Sequence, residues 1–282
     1  MSLLFRLASR FVAGERVDQA ITSVRKLNSK GMTASLDILG ENVHDRTTAD
    51  RAVQAYIDLL DQIHGAGIDS NISVKLTMTG LDIGDDYCVE NVSRILEKAK
   101  TLNNFVRVDM EGSPYTERTL KVFFQLQKKY PHVGAVIQAY LHRSEKDIDA
   151  LNAAGARVRL CKGAYREPPA VAIQKMSEIR ANYRKLAEKL LTRGVYPAIA
   201  THDSSLIKWT KQFAAERGIA NDKFEFQMLY GIRKGTQEAI VREGYRMRIY
   251  VPFGTHWAPY FYRRLRERKE NVWFVVSNLF KG

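Results

Sequence analysis

The chain alternates between two patterns of apolar and polar positions along most of its length. Short runs rich in Val, Ile, Leu and Ala predict buried strands, and the longer stretches between them carry apolar residues at helical spacing. The strand runs begin at Thr33, Asn71, Phe105, Val133, Arg157, Tyr196, Phe224 and Arg246. Strands that alternate with helices indicate a parallel sheet covered by helices. Eight such units in 282 residues predict an α/β protein with a (β/α)8 barrel of the TIM type.

Residues 1–32 precede the first strand run and are predicted to form an N-terminal helical segment, so that the barrel domain covers residues 33–282. The segment begins with Arg6, Arg10 and apolar residues at helical spacing, and it has no acid before Glu15. An amphipathic helix packed on the domain is the favoured interpretation, and a mitochondrial presequence is the alternative. The sequence contains no GxGxxG after a strand and no GxxxxGKS or GxxxxGKT motif, which argues against the nucleotide-binding folds that use them.

Polar residues stand at the C-terminal ends of nearly all the predicted strands, whereas the strand bodies are read as Val, Ile, Leu and Ala. These end residues are Asp37, Lys75, Asp109, Gln138, Lys162, His202, Gln227 and Tyr250. In a TIM barrel the active site lies at this end, in the loops that follow the strands. One such residue alone indicates a helix cap or a solvated strand end, but a ring of them predicts an occupied barrel mouth.

Arg159 lies inside an apolar run, where an unpaired charge would be costly. It therefore needs a partner, which is either an anionic ligand or a carboxylate of the barrel mouth. Lys75 and Lys162 add two further cations, and Asp37 and Asp109 add two carboxylates. These groups predict a mouth that binds a small charged molecule.

The stretch YFYRRLRE predicts a helix with an unusual polar stripe. If the helix follows Pro259, one face carries Tyr260, Arg263, Arg264 and Glu267. The core-facing stripe of an amphipathic helix is ordinarily apolar. Two guanidinium groups over a barrel mouth suit the carboxylate of a small amino or keto acid, or a phosphate, because their planar forks bind such groups bidentately. A solvated basic face is the alternative.

The chain carries a net charge of +13 and has a predicted pI of about 9.7. This excess favours an anionic partner, which includes nucleic acid, a phosphate-bearing cofactor, a carboxylate substrate or an anionic membrane surface. Two cysteines are too few for a disulfide framework, so a reducing compartment is expected. No apolar run approaches the roughly 20 residues that span a bilayer. The six histidines show no HExxH spacing, and no metal site is predicted.

Eight short motifs follow one another from about Ser35 to Asn271, namely SVKLT, VRVDME, IQAY, RLCKGAY, ATHD, FEFQML, YVPFGTH and YFYRRLRE. In this order they resemble the flavin-dependent proline dehydrogenase family in its bacterial single-function form. The elements Y-x-x-R-R-x-x-E and R-L-x-K-G-A-Y are together specific, whereas ATHD or VKLT alone would be weak. The resemblance therefore extends over nearly the whole chain.

The resemblance implies a distorted (β/α)8 barrel that holds FAD at its mouth, with a C-terminal helix over the mouth. It implies oxidation of L-proline to Δ1-pyrroline-5-carboxylate, the first step of proline catabolism to glutamate. Hydride would pass from C5 of proline to flavin N5, and the electrons would pass to a quinone. It also implies a cytoplasmic protein without a nucleic-acid partner, for which peripheral contact with the inner face of the cell membrane stays open.

The chain is expected to lack the aldehyde dehydrogenase domain and the DNA-binding arm of the long bifunctional relatives. A separate pyrroline-5-carboxylate dehydrogenase would then take the product.

The resemblance also implies roles for individual residues. The reaction centre would comprise Asp109, Arg159 and Tyr250. The substrate would be bound by Lys75, Tyr165, Leu229, Tyr260, Arg263 and Arg264, with the two arginines clamping its carboxylate. The cofactor would be bound by Met110, Gln138, Arg159, Lys162, Gly163, Ala164, Thr201 and His202, and the arginine pair would be supported by Glu41 and Glu267. A cationic mouth would lower the pKa of the bound ammonium, so that proline reacts as the neutral amine.

Two other functions compete with this interpretation. A lysine-dependent aldolase or lyase on the same barrel would form a Schiff base at Lys75 or Lys162 and use the arginines for a phosphate. A basic non-catalytic protein that binds nucleic acid or membrane would spread its charge along one outer face and bind with a steep salt dependence. The ring of polar strand ends argues against the second alternative.

Overall fold

The computed structural model of the protein describes the backbone of residues 8–267 and the side chains of residues 8–264. Its strands are β1 (Thr33–Ile38), β2 (Ser70–Val74), β3 (Val106–Val108), β4 (Val133–Gln138), β5 (Arg157–Cys161), β6 (Ala198–Ala200), β7 (Glu225–Leu229) and β8 (Arg246–Phe253). Each strand is parallel to its neighbours, and β8 pairs with β1 to close the barrel. The predicted (β/α)8 barrel is therefore confirmed.

Helices surround the barrel and alternate with its strands. They are α1 (Val17–Asn28), α2 (Arg46–Gly65), α3 (Asp85–Thr101), α4 (Ser113–Gln127), α5 (Ser144–Ala153), α6 (Met176–Arg193), α7 (Ser204–Glu216), α8 (Lys234–Arg242) and α9 (Trp257–Glu267). Helix α1 precedes β1, and its Ala20 and Val24 are buried in the same core as the strands. The division into a helical segment, 1–32, and a barrel domain, 33–282, stays a prediction.

The main hydrophobic core lies between the strands and the helices. Leu36, Ile72 and Val106 are fully buried and stand side by side on β1, β2 and β3, and Tyr56 and Leu60 of α2 belong to the same core. Because successive strand residues point to opposite faces, these apolar positions occupy only the outer face of the barrel wall. The alternate positions therefore face the barrel interior.

The barrel interior is polar, so the expectation of strand bodies made of Val, Ile, Leu and Ala is wrong for this face. Arg159 on β5 donates hydrogen bonds to Ser35 on β1 at 3.3 Å, to Ser73 on β2 at 3.2 Å and to Gln227 on β7 at 2.6 Å. A side chain of β5 reaches these strands only across the interior. The apolar pattern failed here because the buried polar groups satisfy one another, which removes most of the cost of their burial.

The interior near the N-terminal ends of the strands is filled by arginines and one carboxylate. Arg248 Nε lies 2.9 and 3.1 Å from the two carboxylate oxygens of Glu225. Burial alone would raise the pKa of Glu225, but Arg248 holds it below its usual range. Arg107 Nη1 donates to two backbone carbonyl oxygens at 3.1 and 2.6 Å. Gly134 leaves room for this guanidinium, because a Cβ there would lie 2.5 Å from Nη1.

Helix α9 begins at Trp257, three residues earlier than predicted, so that Pro259 lies in its first turn. A proline is tolerated there because the N–H that it lacks would have no partner within the helix. The predicted helix is otherwise confirmed, and its Tyr260 and Arg264 are buried. Between residues 8 and 267, no helix has both the length and the apolar character needed to cross a membrane.

Candidate active site

A cavity of about 330 Å³ opens at the C-terminal ends of the strands. This volume falls in the range of small-molecule sites, roughly 300–1,000 Å³. Its lining includes the predicted residues Lys75, Asp109, Met110, Gln138, Arg159, Lys162, Gly163, Ala164, Tyr165, Thr201, His202, Leu229, Tyr250, Tyr260, Arg263 and Arg264. Glu41 lies behind this lining and contacts it through Arg263. The side chain of Glu267 lies outside the described residues.

Asp109 connects two other residues of the predicted reaction centre. Its Oδ1 accepts a hydrogen bond from Arg159 Nη1 at 2.7 Å, and its Oδ2 accepts one from the Tyr250 hydroxyl at 2.7 Å. The guanidinium of Arg159 also lies 5.2 Å from the centroid of the Tyr250 ring. Burial, reinforced by Asp109, raises the pKa of Tyr250 well above its ordinary value, so the phenol stays protonated. Arg159 thus has the mouth carboxylate as its partner.

Lys75 and Asp37 form a buried ion pair at the ends of β2 and β1, with Nζ 2.6 Å from Oδ1. Burial alone would lower the pKa of Lys75, but the carboxylates of Asp37 and Asp109 raise it above its ordinary value. Burial raises the pKa of Asp37, against the attraction of Lys75. Lys75 is therefore held as an ammonium. A Schiff-base lysine needs the neutral amine, so this environment argues against the aldolase alternative at Lys75.

The two arginines of α9 both line the cavity, so the alternative of a solvated basic face is wrong. Arg263 Nη1 donates to Glu41 Oε1 at 2.6 Å, and this carboxylate raises the pKa of Arg263 although burial opposes it. Arg264 is 7% exposed, and its guanidinium lies 5.2 Å from the centroid of the Tyr260 ring. Tyr262, which directly precedes Arg263 in sequence, is half exposed.

The turn after β5 is held against β4 by Gln138. The Gln138 side-chain carbonyl accepts a hydrogen bond from the backbone N–H of Ala164 at 3.0 Å, and its amide donates to the backbone carbonyl of Glu111 at 3.0 Å. Gly163 has a φ of +135°, and a Cβ at this position would lie 2.5 Å from the ring of Tyr140. The turn therefore needs glycine for both its conformation and its close approach.

One part of the cavity rim is built by residues that follow β5 and β6. Lys162 Nζ lies 3.5 Å from Asp203 Oδ2, and Arg180 Nε of α6 lies 2.7 Å from the same oxygen. Asp203 also caps α7 through Ser205. His202 Nε2 accepts a hydrogen bond from a backbone N–H of the next strand at 2.9 Å. These contacts tie the rim to three elements of the barrel.

Sequence reasoning missed Glu111, which lines the cavity and is buried. Its two carboxylate oxygens accept hydrogen bonds from the backbone N–H and the hydroxyl of Thr77, at 3.1 and 2.6 Å. Burial raises the pKa of Glu111 above its usual value. The available signal was its position two residues after Asp109, because residues at this spacing in extended chain point the same way.

The cations of the mouth are paired with carboxylates and do not form an unopposed positive field. Lys75 is paired with Asp37, Arg159 with Asp109 and Arg263 with Glu41. The sequence showed the cations at strand ends, but it did not show that carboxylates from other strands stand within hydrogen-bond distance. Repulsion by these cations alone therefore does not account for deprotonation of a bound amine.

Comparisons with known proteins cover nearly the whole chain. The family described as Proline dehydrogenase matches residues 20–277. The chain is 44% identical to Proline dehydrogenase 2 of Bacillus subtilis over 274 residues, which cover 97% of this chain and 90% of that protein. It is 39% identical to Proline dehydrogenase of Deinococcus radiodurans over 284 residues, which cover 99% of this chain and 92% of that protein.

The fold is also similar to a solved structure, the proline utilization A (PutA) protein of Bdellovibrio bacteriovorus inactivated by N-propargylglycine. The two structures superpose with a TM-score of 0.87 at 28% sequence identity, over 93% of this chain and 32% of that one. The chain thus spans about a third of the PutA protein. Matches over nearly the full length of this chain confirm the resemblance on which the site was predicted, and the chain belongs to the proline dehydrogenase family.

Proposed function

We propose that the protein oxidises L-proline to Δ1-pyrroline-5-carboxylate with FAD as its cofactor, the first step of proline catabolism. Family membership supports the reaction. The observation that carries the assignment to this site is that Arg263 and Arg264 enter the same cavity as the hydrogen-bonded group Asp109, Arg159 and Tyr250. An amino acid with a carboxylate and a small apolar ring suits such a cavity.

The carboxylate of proline is proposed to bind Arg263 and Arg264, with Lys75 reaching it from the end of β2. Arg263 is oriented by Glu41, and Lys75 by Asp37, so that both cations are positioned before substrate arrives. Preorganised donors lose little freedom on binding, which is the usual source of precise placement. Each of these cations is already paired with one carboxylate of the protein. It still has further N–H groups that can donate to the carboxylate of the substrate.

The pyrrolidine ring is proposed to lie among Tyr165, Leu229, Tyr250 and Tyr260, which line the cavity together. Burial raises the pKa of Tyr165 far above its ordinary value, and Tyr250 also stays protonated, so neither phenol adds charge beside the ring. The Tyr250 hydroxyl is engaged by Asp109 and is thereby fixed in place. Apolar walls of this kind exclude water from the carbon that loses hydride.

The residues of the cavity also fit a flavin. Its apolar lining, which includes Met110, Val136, Ala200 and Met228, suits a flat ring system, and the guanidinium of Arg159 borders the same space. At the rim, Lys162 and His202 with the Gly163 turn suit a phosphate-bearing tail. Flavin, when bound, supplies the acceptor for the hydride. We propose that Gln138 acts on this group through the Ala164 turn that it holds.

Oxidation to an imine requires the lone pair of the proline nitrogen, so the substrate reacts as the neutral amine. Lys75 is poorly suited to take the proton, because it is hydrogen-bonded to Asp37 and its carboxylate neighbours raise its pKa against the effect of burial. The chain's contribution is to bind the carboxylate, to orient the ring and to exclude water. No separate general base is proposed.

The electron acceptor is proposed to be a membrane quinone, and the product is proposed to pass to a separate pyrroline-5-carboxylate dehydrogenase. The net charge of +13 supports a peripheral contact between a cytoplasmic protein and an anionic membrane surface. Reduction of a quinone held in anionic vesicles would test this part. Turnover confined to water-soluble acceptors would contradict it.

The flavin spectrum tests the reaction. The purified protein is expected to be yellow, and its visible flavin absorbance is expected to bleach when L-proline is added without oxygen. Glycine, which carries the same carboxylate without the ring, serves as the control. A colourless protein, or one inactivated by borohydride in the presence of a carbonyl substrate, would instead support the aldolase alternative.

A further inference from the structure

A second hydrophobic cluster lies apart from the main core and joins four segments that are distant in sequence. It contains Ala8, Phe11, Val12, Leu39, Ile232, Tyr260 and Phe261, with Leu229 and Trp257 packed against it. Phe11 and Phe261 are fully buried, and their ring centroids are 6.2 Å apart. Because Tyr260, Leu229 and Arg264 line the cavity, this cluster lies directly behind the proposed substrate site.

Residues 8–15, which we call the N-terminal brace, are tied by backbone hydrogen bonds to the end of β8 and the turn after it. The N–H of Ala13 donates to the carbonyl of Pro252 at 2.9 Å, and the N–H of Gly254 donates to the carbonyl of Gly14 at 3.0 Å. These two bonds lie on both sides of Phe253, just before α9. The C-terminal end of the brace is therefore bonded to the residues that lie just before α9.

The brace also contacts α9 and the loop after β7 directly. The indole N–H of Trp257, the first residue of α9, donates to Glu15 Oε1 at 3.0 Å. The carbonyl oxygen of Arg10 packs on Gly231, where an added Cβ would lie only 1.6 Å from it. Two βα loops and the helix are thus held by one short segment.

Phe261 connects the brace to the helix that carries the two arginines. Phe261 stands between Trp257 and Arg264 in the helix, at spacings of four and three residues, so all three lie on adjoining parts of one face. Tyr260, in the same cluster, is the ring that the Arg264 guanidinium faces. A helix that lost the Phe11 contact would tilt or rotate, and its arginines would move with it.

We propose that the N-terminal brace positions α9 for substrate binding and that Phe11 is its principal positioning residue. The brace does not touch the proposed substrate. It holds Phe261 and Trp257, and through them it sets the place of Tyr260, Arg263 and Arg264. This inference rests on the proposed function for its effect on proline, but not for its effect on the helix.

The experiment compares Phe11→Ala, Phe11→Leu and a matched control, Phe123→Ala, in the full-length flavin-loaded protein. Phe123 is as buried as Phe11 but lies in α4, in the main core. Phe11→Ala is expected to raise the KM for L-proline roughly ten- to hundredfold, with a smaller change in kcat, because misplacement by about 1 Å has effects of that size. Phe11→Leu is expected to recover most of the wild-type KM.

Hydrogen–deuterium exchange gives a readout that does not depend on activity. Amides of residues 257–264 are expected to exchange faster in Phe11→Ala than in the wild type, and to be unchanged in Phe123→Ala. Glu15→Ala, which removes the surface partner of Trp257, is expected to shift both KM and exchange in the same direction by less. This milder variant keeps the test valid if Phe11→Ala does not fold.

Equal effects of Phe11→Ala and Phe123→Ala on KM and on exchange of α9 would overturn the proposal. So would a Glu15→Ala protein with wild-type values of both. If wild-type flavin did not respond to proline at all, the proposed function would fail, while exchange of α9 would still decide whether the brace holds the helix.

Discussion

Arg263 and Arg264 are neighbours in sequence, yet their surroundings differ. Arg263 is half-buried and is paired with Glu41, whereas Arg264 is buried and lies beside Tyr260. Arg263 therefore has a partner that holds it near the entrance, and Arg264 lies deeper in the site. Two donors in different surroundings suit the two oxygens of one carboxylate.

Replacement of either arginine by Met is expected to weaken proline binding. Each charge-assisted hydrogen bond contributes about 1.5–3 kcal/mol, so the KM for L-proline should rise roughly 10- to 200-fold for Arg263→Met and for Arg264→Met. Flavin content should stay close to that of the wild type, because the arginines are assigned to substrate. Steady-state kinetics and the flavin-to-protein absorbance ratio would measure the two effects.

The control for this pair is Arg51→Met, which removes an exposed arginine on α2. Its KM and flavin content should both equal those of the wild type. Loss of flavin from the α9 variants with an unchanged KM would refute the clamp assignment.

Single residues could be predicted from the sequence where a charged residue occupied a position that is ordinarily apolar. Arg159 was expected to need a partner because it interrupts an apolar run, and that partner is Asp109. Glu111 was not predicted, because its environment comes from Thr77 on a different strand loop. A sequence shows which group is out of place, but seldom which distant group satisfies it.

At the scale of elements, Asp203 joins α6, α7 and the turn after β5. It accepts bonds from Arg180 and Ser205 and pairs with Lys162. Burial alone would raise its pKa, but these partners hold the pKa of Asp203 well below its usual range. A depressed pKa means that the folded protein binds this proton less tightly than the unfolded chain does.

The Asp203→Asn variant should therefore be less stable than the wild type at neutral pH. Above the pKa of an aspartate in the unfolded chain, about 3.9, the ionised carboxylate contributes its full stabilisation to the folded protein. This contribution is lost as the pH falls below that value and through the lower pKa that Asp203 has in the folded protein. We expect the variant to melt roughly 2–10 °C lower at pH 7, from about 1–3 kcal/mol of lost interactions.

The difference in melting temperature between variant and wild type should narrow below about pH 4. Melting curves from pH 7 to pH 3 would measure it, with exposed Asp222→Asn as the matched control. A difference that stayed constant across this range would show that the charge of Asp203 contributes nothing to stability.

The elements themselves were largely predictable. Eight strands were read from their apolar runs because each has an outer face buried under helices. Helix α9 was read from its spacing, and only its start was wrong. Pattern alone did not reveal the brace, because the value of Phe11 depends on Phe261, which is 250 residues away in sequence (261 − 11).

At the scale of the whole molecule, one hydrogen-bonded chain runs through the barrel from its N-terminal end to the active site. Its members are Arg248, Glu225, Gln227, Arg159, Asp109 and Tyr250. Both ends of the barrel therefore share one buried polar network. In such a network the loss of one partner leaves a costly unsatisfied group, so the interior tolerates little change.

Gly134→Ala tests how tightly this interior is packed. The new Cβ would lie 2.5 Å from Arg107 Nη1 and 2.6 Å from the Phe105 ring, and overpacking of this kind costs about 1–3 kcal/mol. Urea unfolding should show this loss. The control Gly235→Ala meets nothing within 4 Å in α8 and should be neutral or stabilising, by up to about 1 kcal/mol. Equal stability of the two variants would mean that the space beside Arg107 is not limiting.

The sequence by itself determined the barrel, the order of its elements and the polar residues at its mouth. Periodicity and strand ends are local properties, and the motifs are contiguous, so each could be read without coordinates. Only the tertiary structure decided how the charges pair, that the interior is polar, and that residues 8–15 hold the helix of the two arginines. Those facts depend on contacts between segments far apart in the chain, which only the folded molecule brings together.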